Sequence, residues 1–187
     1  MRAVPITVAA LAAALLLTAC GGGDDSGSGG DKSTAAETAG TAGTAGGTGT
    51  TCAAGDLGQE VGPVNAAPAA GDSGNVTVTL TNNGAECVLE GFPKVELQAG
   101  SSSATVPNDA AAEAQALTLP AQGTATFTIT YLRSEDGGDK SLAVKTVQYG
   151  LPNASSTESF PWSYGEVALK SENVPDATVS AFQQAGD

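Results

Sequence analysis

One cysteine lies in a sequence context that favours covalent lipid attachment. Positions 17–20, Leu-Thr-Ala-Cys, end a short apolar run, and this tetrapeptide is typical of a bacterial lipobox, in which diacylglycerol is attached to the cysteine. Two acyl chains give lasting membrane residence, because each buried methylene group contributes about 0.8 kcal/mol. The pattern therefore predicts that Cys20 is lipidated by palmitate-type chains and that the protein lies on the extracytoplasmic face of the cell membrane.

The residues before Cys20 predict a cleaved signal peptide over 1–19. Residues 3–17 are apolar but fall short of the ~20 residues that a membrane-spanning helix needs. Arg2 supplies a basic start, and small residues precede the cleavage point. An ordinary secretory signal and a retained helix are the alternatives, and the lipobox favours cleavage.

The two remaining cysteines, Cys52 and Cys87, are candidates for a disulfide. Pairing is expected in an oxidising compartment. A redox or metal site is the alternative, but a metal needs more ligands and the chain has no histidine. We therefore predict a structural Cys52–Cys87 disulfide and no metal site.

The lack of histidine also removes most catalytic arrangements. Ser-His-Asp and Cys-His sites are excluded, and the motifs Gly-x-Ser-x-Gly and Ser-x-x-Lys do not occur. Cys87 would be a nucleophile only if it stayed unpaired and acted without a histidine. The sequence thus predicts no catalytic residues, no cofactor and no enzymatic activity.

Paired carboxylates remain as an alternative chemistry, because a glycosidase needs only two acids at the right separation. The densest acidic stretch is Glu-Asp-Gly-Gly-Asp at 135–139. We interpret it as a solvated turn between strands, since the spacing of a calcium-binding loop is absent.

Alternating aromatic residues form a candidate binding surface. Phe160, Trp162 and Tyr164 are spaced so that one strand face would carry all three. Such a face belongs either to the core or to an exposed platform for sugar or peptide.

Composition divides the chain into a linker and a head. Residues 21–51 contain no large apolar residue and repeat Thr-Ala-Gly, which predicts that 20–51 is a lipidated cysteine followed by a disordered spacer spanning roughly 30 Å. The segment 52–187 suits a single domain. After removal of residues 1–19, six basic and 20 acidic side chains remain, a net charge of −14 that argues against nucleic acid as a partner.

Period-2 alternation predicts strands in the head. It is strongest where apolar residues alternate with threonine, over 76–81 and 124–131. The Asn-Gly step at Asn83-Gly84 predicts a hairpin that joins the first strand to one at Val88. Shorter strands are expected at 95–97, 117–119, 142–149 and 166–169, which together favour a β-sandwich or barrel.

Two segments allow a helix. Residues 110–116 are rich in alanine, which favours helix, although their position suggests a connection between strands. Asp176 is placed to cap a short terminal helix that carries Val179 and Phe182.

Residues 81–97, TNNGAECVLEGFPKVEL, resemble the signature of the actinobacterial lipoprotein family that carries the domain of unknown function 4232. In that family an Asn-x-Gly turn precedes a cysteine, a hydrophobic residue, a Gly-aromatic-Pro step and a short strand. The resemblance extends from Cys52 to about Leu169. It implies an all-β, immunoglobulin-like antiparallel β-sandwich with one disulfide and no established activity. Many members have a further cysteine near the end, whereas this chain has none after Cys87.

These features together predict a cell-surface lipoprotein whose head is a non-catalytic binding or structural module of the bacterial envelope. Its expected partners are the membrane, through the diacylglycerol anchor, and an envelope protein or glycan. A carboxylate-dependent envelope enzyme, such as a glycan hydrolase, is the alternative.

Overall fold

The computed structural model describes residues 49–185. The predicted signal peptide, Cys20 and nearly all of the predicted linker therefore lie outside the described residues. No helix within 49–185 has the length and apolar character needed to cross a membrane. The described part contains one 3-10 helix, at Ala54–Asp56, and the following strands: β1 (Leu57–Asn65), β2 (Ser73–Asn82), β3 (Cys87–Glu90), β4 (Lys94–Ala99), β5 (Ser102–Val106), β6 (Ala116–Leu119), β7 (Thr124–Leu132), β8 (Ser141–Leu142), β9 (Thr146–Gly150), β10 (Thr157–Pro161), β11 (Val167–Ser171), β12 (Val174–Pro175), β13 (Ala177–Val179) and β14 (Gln183–Gln184).

Two sheets form the sandwich. The first has the order β1-β2-β7-β13, with β14 also paired to β7, and the second has the order β10-β9-β4-β5. Two smaller sheets, β3-β6 and β12-β11-β8, complete the described part. All pairings between these strands are antiparallel, which confirms the predicted all-β antiparallel sandwich.

The pair β2–β7 forms the centre of the first sheet and confirms the two strongest strand predictions. The strands are in register from Ser73 opposite Leu132 to Thr81 opposite Thr124. Their inward side chains are buried, and their outward side chains are mostly threonine. Thr77 and Thr128 are opposite each other on the outer face, with their hydroxyl oxygens 3.1 Å apart. Such cross-strand pairs stabilise a sheet whose outer face is solvated.

Aromatic contacts join the two sheets through the core. Phe127 of β7 lies 5.2 Å from Tyr149 of β9, measured between ring centroids, and Phe182 contacts Phe127 edge to face at 5.9 Å. Large aromatic side chains bury more area per residue than aliphatic ones do. The two sheets therefore pack face to face on one continuous apolar cluster.

The predicted hairpin between β2 and β3 is wrong. Strand β2 pairs with β1 on one side and β7 on the other, whereas β3 pairs with β6. Both edges of β2 are occupied, so the chain leaves the first sheet after Asn82 and begins a separate one. The Asn-Gly step forms the turn, but β2 does not pair with the strand that follows the turn.

Asn82 holds this crossing in place. It is the fully buried polar residue of the described core. Its amide group donates hydrogen bonds to the carbonyl oxygens of Ala85 (2.8 Å), Leu119 (3.0 Å) and Pro120 (3.2 Å), and its Oδ1 accepts one from the Gly84 N–H (2.9 Å). A buried amide is tolerated when its polar atoms are paired in this way. Asn82 thereby fixes the turn after β2 against the turn before β7.

The segment allowed as helix at 110–116 is a connection. The Ala112 N–H closes a turn onto the Asp109 carbonyl oxygen at 3.1 Å, and the chain then extends into β6. The helix predicted after Asp176 is wrong, because Ala177–Val179 forms β13 on the edge of β7. Ala177 and Val179 are both buried, so the segment fills its inward positions with period 2.

The apolar run predicted as one strand over 142–149 is divided. Strand β8 ends at Leu142 and β9 begins at Thr146, in two different sheets. The Val144 N–H bonds to the Leu142 carbonyl oxygen at 2.8 Å, which turns the chain between them. This break places Lys145 in a loop rather than in a strand.

The predicted disulfide is confirmed, and it fixes the entry of the chain into the sandwich. Cys52 and Cys87 are buried and bonded, with their Cα atoms 4.9 Å apart. The Val88 N–H donates to the Thr50 carbonyl oxygen at 2.8 Å, and the Cys52 N–H donates to the Val88 carbonyl oxygen at 3.0 Å. The segment 50–52 is thus attached to β3 by both covalent and hydrogen bonds.

We expect the double substitution Cys52→Ala/Cys87→Ala to lower the free energy of unfolding by about 3.8 kcal/mol, the chain-entropy value for a closed loop of this length. The sequence separation of the two cysteines is 35 residues. Urea unfolding with and without reductant measures the effect. Reductant should lower the midpoint of the natural chain and leave that of the double variant unchanged. A natural midpoint insensitive to reductant would contradict this role.

Candidate functional site

The two ends of the sandwich differ in what they carry. Strand β7 runs from Thr124, opposite the end of β2, to Leu132, opposite its start. Nine residues of extended chain span about 27 Å. We call the end at Thr124 the proximal end, because the segment 50–52 enters there beside Cys87, and the end at Leu132 the distal end.

A cleft of about 290 Å³ lies at the distal end. Three loops supply its walls: the turn after β7, the break between β8 and β9, and the connection from β10 to β11. Its lining residues are Asp136, Ala143, Val144, Lys145, Trp162, Ser163, Gly165 and Glu166. The cleft thus brings together a residue of the acidic stretch 135–139 and one of the three alternating aromatic residues.

The alternating aromatic residues do not form an exposed platform. Phe160 and Trp162 are buried, with Trp162 only 6% exposed, and Tyr164 is half-buried. Trp162 packs edge to face against Tyr131 and Tyr164, with ring centroids 4.9 Å away in both cases. Most of the indole is therefore core, and only its edge reaches the cleft.

Hydrogen bonds make the floor of the cleft rigid. The Trp162 indole N–H donates to the Gly165 carbonyl oxygen at 2.7 Å, and its backbone N–H donates to the Lys145 carbonyl oxygen at 2.9 Å. The Tyr131 hydroxyl donates to the Tyr164 carbonyl oxygen at 2.8 Å. Gly74 leaves room for the Tyr131 ring, since a Cβ there would lie 2.5 Å from the ring. The loop 162–165 is thereby tied to β7 and to the neighbouring wall.

Glu166 anchors the acidic turn. Its carboxylate accepts hydrogen bonds from the Gly137 N–H at 2.9 Å and from the Ser141 hydroxyl. The Ser141 hydrogen bond lowers the pKa of Glu166 most, the Gly137 bond lowers it further, and the charge of Lys145 adds to the effect. Glu166 is thus ionised at neutral pH, and one of its oxygens, Oε2, accepts both of the hydrogen bonds that hold the turn. The turn 135–140 itself is exposed to solvent, as the sequence interpretation had it.

Lys145 and Asp136 are the charged groups of the cleft that are not used in this way. Within residues 49–185 the one salt bridge joins Lys170 to Asp176, Nζ to Oδ1 at 3.2 Å. Both Lys145 and Asp136 are exposed. The same part of the chain contains no group of three or more acidic or cysteine side chains that could hold a metal ion. Besides Glu166, the cleft therefore offers one cation, Lys145, and one carboxylate, Asp136, that take part in no salt bridge of the described residues.

Sequence reasoning missed two residues of this cleft. Lys145 interrupts an apolar run that was predicted as a continuous strand, so nothing marked it as a loop residue. Glu166 was placed at the start of a strand, and its contact with Gly137 crosses 29 positions of sequence. The one signal in the sequence was that the exposed N–H groups of the Gly137-Gly138 turn need a hydrogen-bond acceptor. This need does not identify the carboxylate that meets it.

We expect Glu166→Gln to loosen the turn 135–140, because a neutral amide is a weaker acceptor for Gly137 and Ser141. Protection of the Gly137 amide against hydrogen exchange should fall several-fold. In the natural chain, a folded pKa below the ordinary value of 4.5 means that this stabilisation is complete above that value and is lost as the pH falls through the folded pKa.

Glu135→Gln is the matched control, since Glu135 lies on the same turn and is exposed. It should leave the protection of Gly137 unchanged. Equal loss in both variants would show that Glu166 has no special part in the turn.

A known protein family matches most of the chain. No curated protein matches the chain. Residues 52–183 match the family described as Domain of unknown function (DUF4232), and the match covers most of the chain, including both disulfide cysteines and the loops of the distal cleft. The chain therefore belongs to the DUF4232 family.

Proposed function

We propose that the protein is a lipid-anchored lipoprotein of the actinobacterial cell envelope, whose β-sandwich presents the distal cleft as a non-catalytic binding module. The anchor rests on the lipobox at 17–20 and the Gly- and Thr-rich linker after it. The expected partner is an envelope protein or glycan. The observation that carries the proposal is the position of the cleft at the opposite end of the sandwich from the entering chain.

The arrangement of the two ends suits a tethered head. A chain anchored through Cys20 would hold the head by the proximal end, next to the Cys52–Cys87 disulfide. The distal cleft would then face away from the membrane, about 27 Å farther out, by the rise of extended chain over nine residues. Binding loops on a rigid sandwich are a common arrangement, and the disulfide and Asn82 supply rigidity at the held end.

The glycan-hydrolase alternative has one observation in its favour, since Asp136 and Glu166 line the same cleft. A hydrolase needs one carboxylic acid that stays protonated to act as general acid. The lowered pKa of Glu166 works against that role, and its two hydrogen bonds give the carboxylate a different use. Release of soluble sugar from envelope glycan by the purified chain, abolished by Asp136→Asn, would favour the alternative.

For the anchor, we expect Cys20→Ser to abolish incorporation of labelled palmitate and to release the protein from the membrane fraction, because the thiol that carries the lipid is gone. Cell fractionation and fluorography measure both effects. The double variant Cys52→Ala/Cys87→Ala is the control and should retain the label. Label that persists on the Cys20→Ser variant would refute the anchor.

For binding at the cleft, we expect Ser163→Trp, introduced into the Cys20→Ser chain so that no lipid anchor holds it, to reduce retention on isolated cell envelopes at least several-fold. Ser163 is an exposed cleft residue, so a large side chain there fills the space without disturbing the core. Sedimentation with envelopes from a strain lacking the protein measures retention. Ser159→Trp, an exposed substitution on β10 outside the cleft, is the matched control. Equal retention of the two variants would place binding elsewhere.

A further inference from the structure

The charges of the distal cleft indicate a class of ligand. We propose that the cleft binds a zwitterion, namely a short peptide or amino acid that carries both a free amine and a free carboxylate. In this assignment Asp136 binds the amine and Lys145 binds the carboxylate. The inference rests on the proposed function as a binding module and names the chemistry of its ligand.

Lys145 is held by its own backbone contacts, and Asp136 is held through the neighbouring residue of its turn. The Lys145 N–H donates to the Gln98 carbonyl oxygen at 2.8 Å, and the Lys145 carbonyl oxygen accepts from the Trp162 N–H at 2.9 Å. Asp136 lies on the turn that Glu166 anchors through Gly137. The two side chains thus project from separately fixed loops into the same space, without forming a salt bridge with each other.

A ligand with two opposite charges matches this arrangement better than one with a single charge. A lone anion at Lys145 would meet the repulsion of Asp136 and Glu166, and a lone cation at Asp136 would leave Lys145 without a ligand partner. A zwitterion makes one charge-assisted hydrogen bond at each end, and such bonds are about twice as strong as neutral ones. The net charge of the whole chain, −13, further disfavours polyanionic ligands.

The size and lining of the cleft limit the ligand to a small one. Its volume of about 290 Å³ lies just below the range for small-molecule pockets, roughly 300 to 1,000 Å³. Val144, Ala143 and the edge of Trp162 supply an apolar wall for a short side chain. A free amino acid or a whole dipeptide is small enough for these dimensions.

Trp162 provides a direct readout, because it is the single tryptophan of the chain and lines the cleft. The experiment titrates the full-length protein with alanyl-alanine and follows Trp fluorescence, with calorimetry as a second measurement. Three further probes are N-acetyl-alanyl-alanine, which lacks the cation, alanyl-alanine amide, which lacks the carboxylate, and lactose, which is neutral. We expect saturable binding of the free dipeptide, about tenfold weaker binding of each capped form, which corresponds to the loss of about 1.4 kcal/mol, and no binding of lactose.

Charge-neutralising variants assign the two ends. Lys145→Gln should weaken binding of the free dipeptide about tenfold and leave the affinity for the amide-capped form unchanged. Asp136→Asn should also weaken binding of the free dipeptide about tenfold, and it should leave the affinity for the acetylated form unchanged. Lys140→Gln and Asp139→Asn are the matched controls, since both residues lie on the same exposed turn and neither lines the cleft.

Equal affinity for free and capped dipeptides would overturn the proposal, as would equal losses in the control variants. Absence of binding in both fluorescence and calorimetry would also overturn it. Lactose binding that depends on the cleft would refute the zwitterion while leaving the binding-module role in place. Failure of palmitate labelling would concern the anchor alone, so the two proposals fail in distinguishable ways.

Discussion

The hydrogen-bonded ladder between β2 and β7 is the interaction on which the rest of the structure depends. Its inward side chains, from Val76 to Leu80 and from Ala125 to Tyr131, contribute fully or nearly fully buried residues to the core. β1 and β13 extend the same sheet on either side of this pair. The ladder also sets the distance between the disulfide and the cleft, because both ends of the sandwich are defined by where these two strands begin and stop.

The sequence predicted the elements whose signal is local. Alternation of apolar residues with threonine located β2 and β7 because both have one buried and one solvated face. The disulfide followed from counting cysteines in an assumed oxidising compartment. The hairpin failed because an Asn-Gly turn is also local, whereas the partner of β3 lies in β6, about 30 positions farther along the chain. The helix prediction after Asp176 was wrong because that segment pairs with the edge of β7. A capping residue carries no information about a strand edge that is distant in sequence.

The cleft was only partly predictable for the same reason. Its aromatic and acidic features were visible as motifs, yet nothing in the sequence shows that Trp162 and Asp136 meet. The break between β8 and β9 brings Lys145 to them, and apolar residues on both sides concealed that break. Burial of the indole between Tyr131 and Tyr164 changes its role from a stacking surface to a support for the loop. Pairs of residues that are distant in sequence thus decide what the motifs can do.

The outer face of the first sheet has a consequence for crowding. Threonine hydroxyl and methyl groups alternate there along β2 and β7, in rows such as Thr77 beside Thr128 and Thr79 beside Thr126. Along β2 and β7 this face carries no charged side chain, and large exposed apolar patches are what cause proteins to adhere to each other. Copies held side by side by the proposed lipid anchor would therefore meet, along these two strands, a neutral surface without an apolar patch to bind.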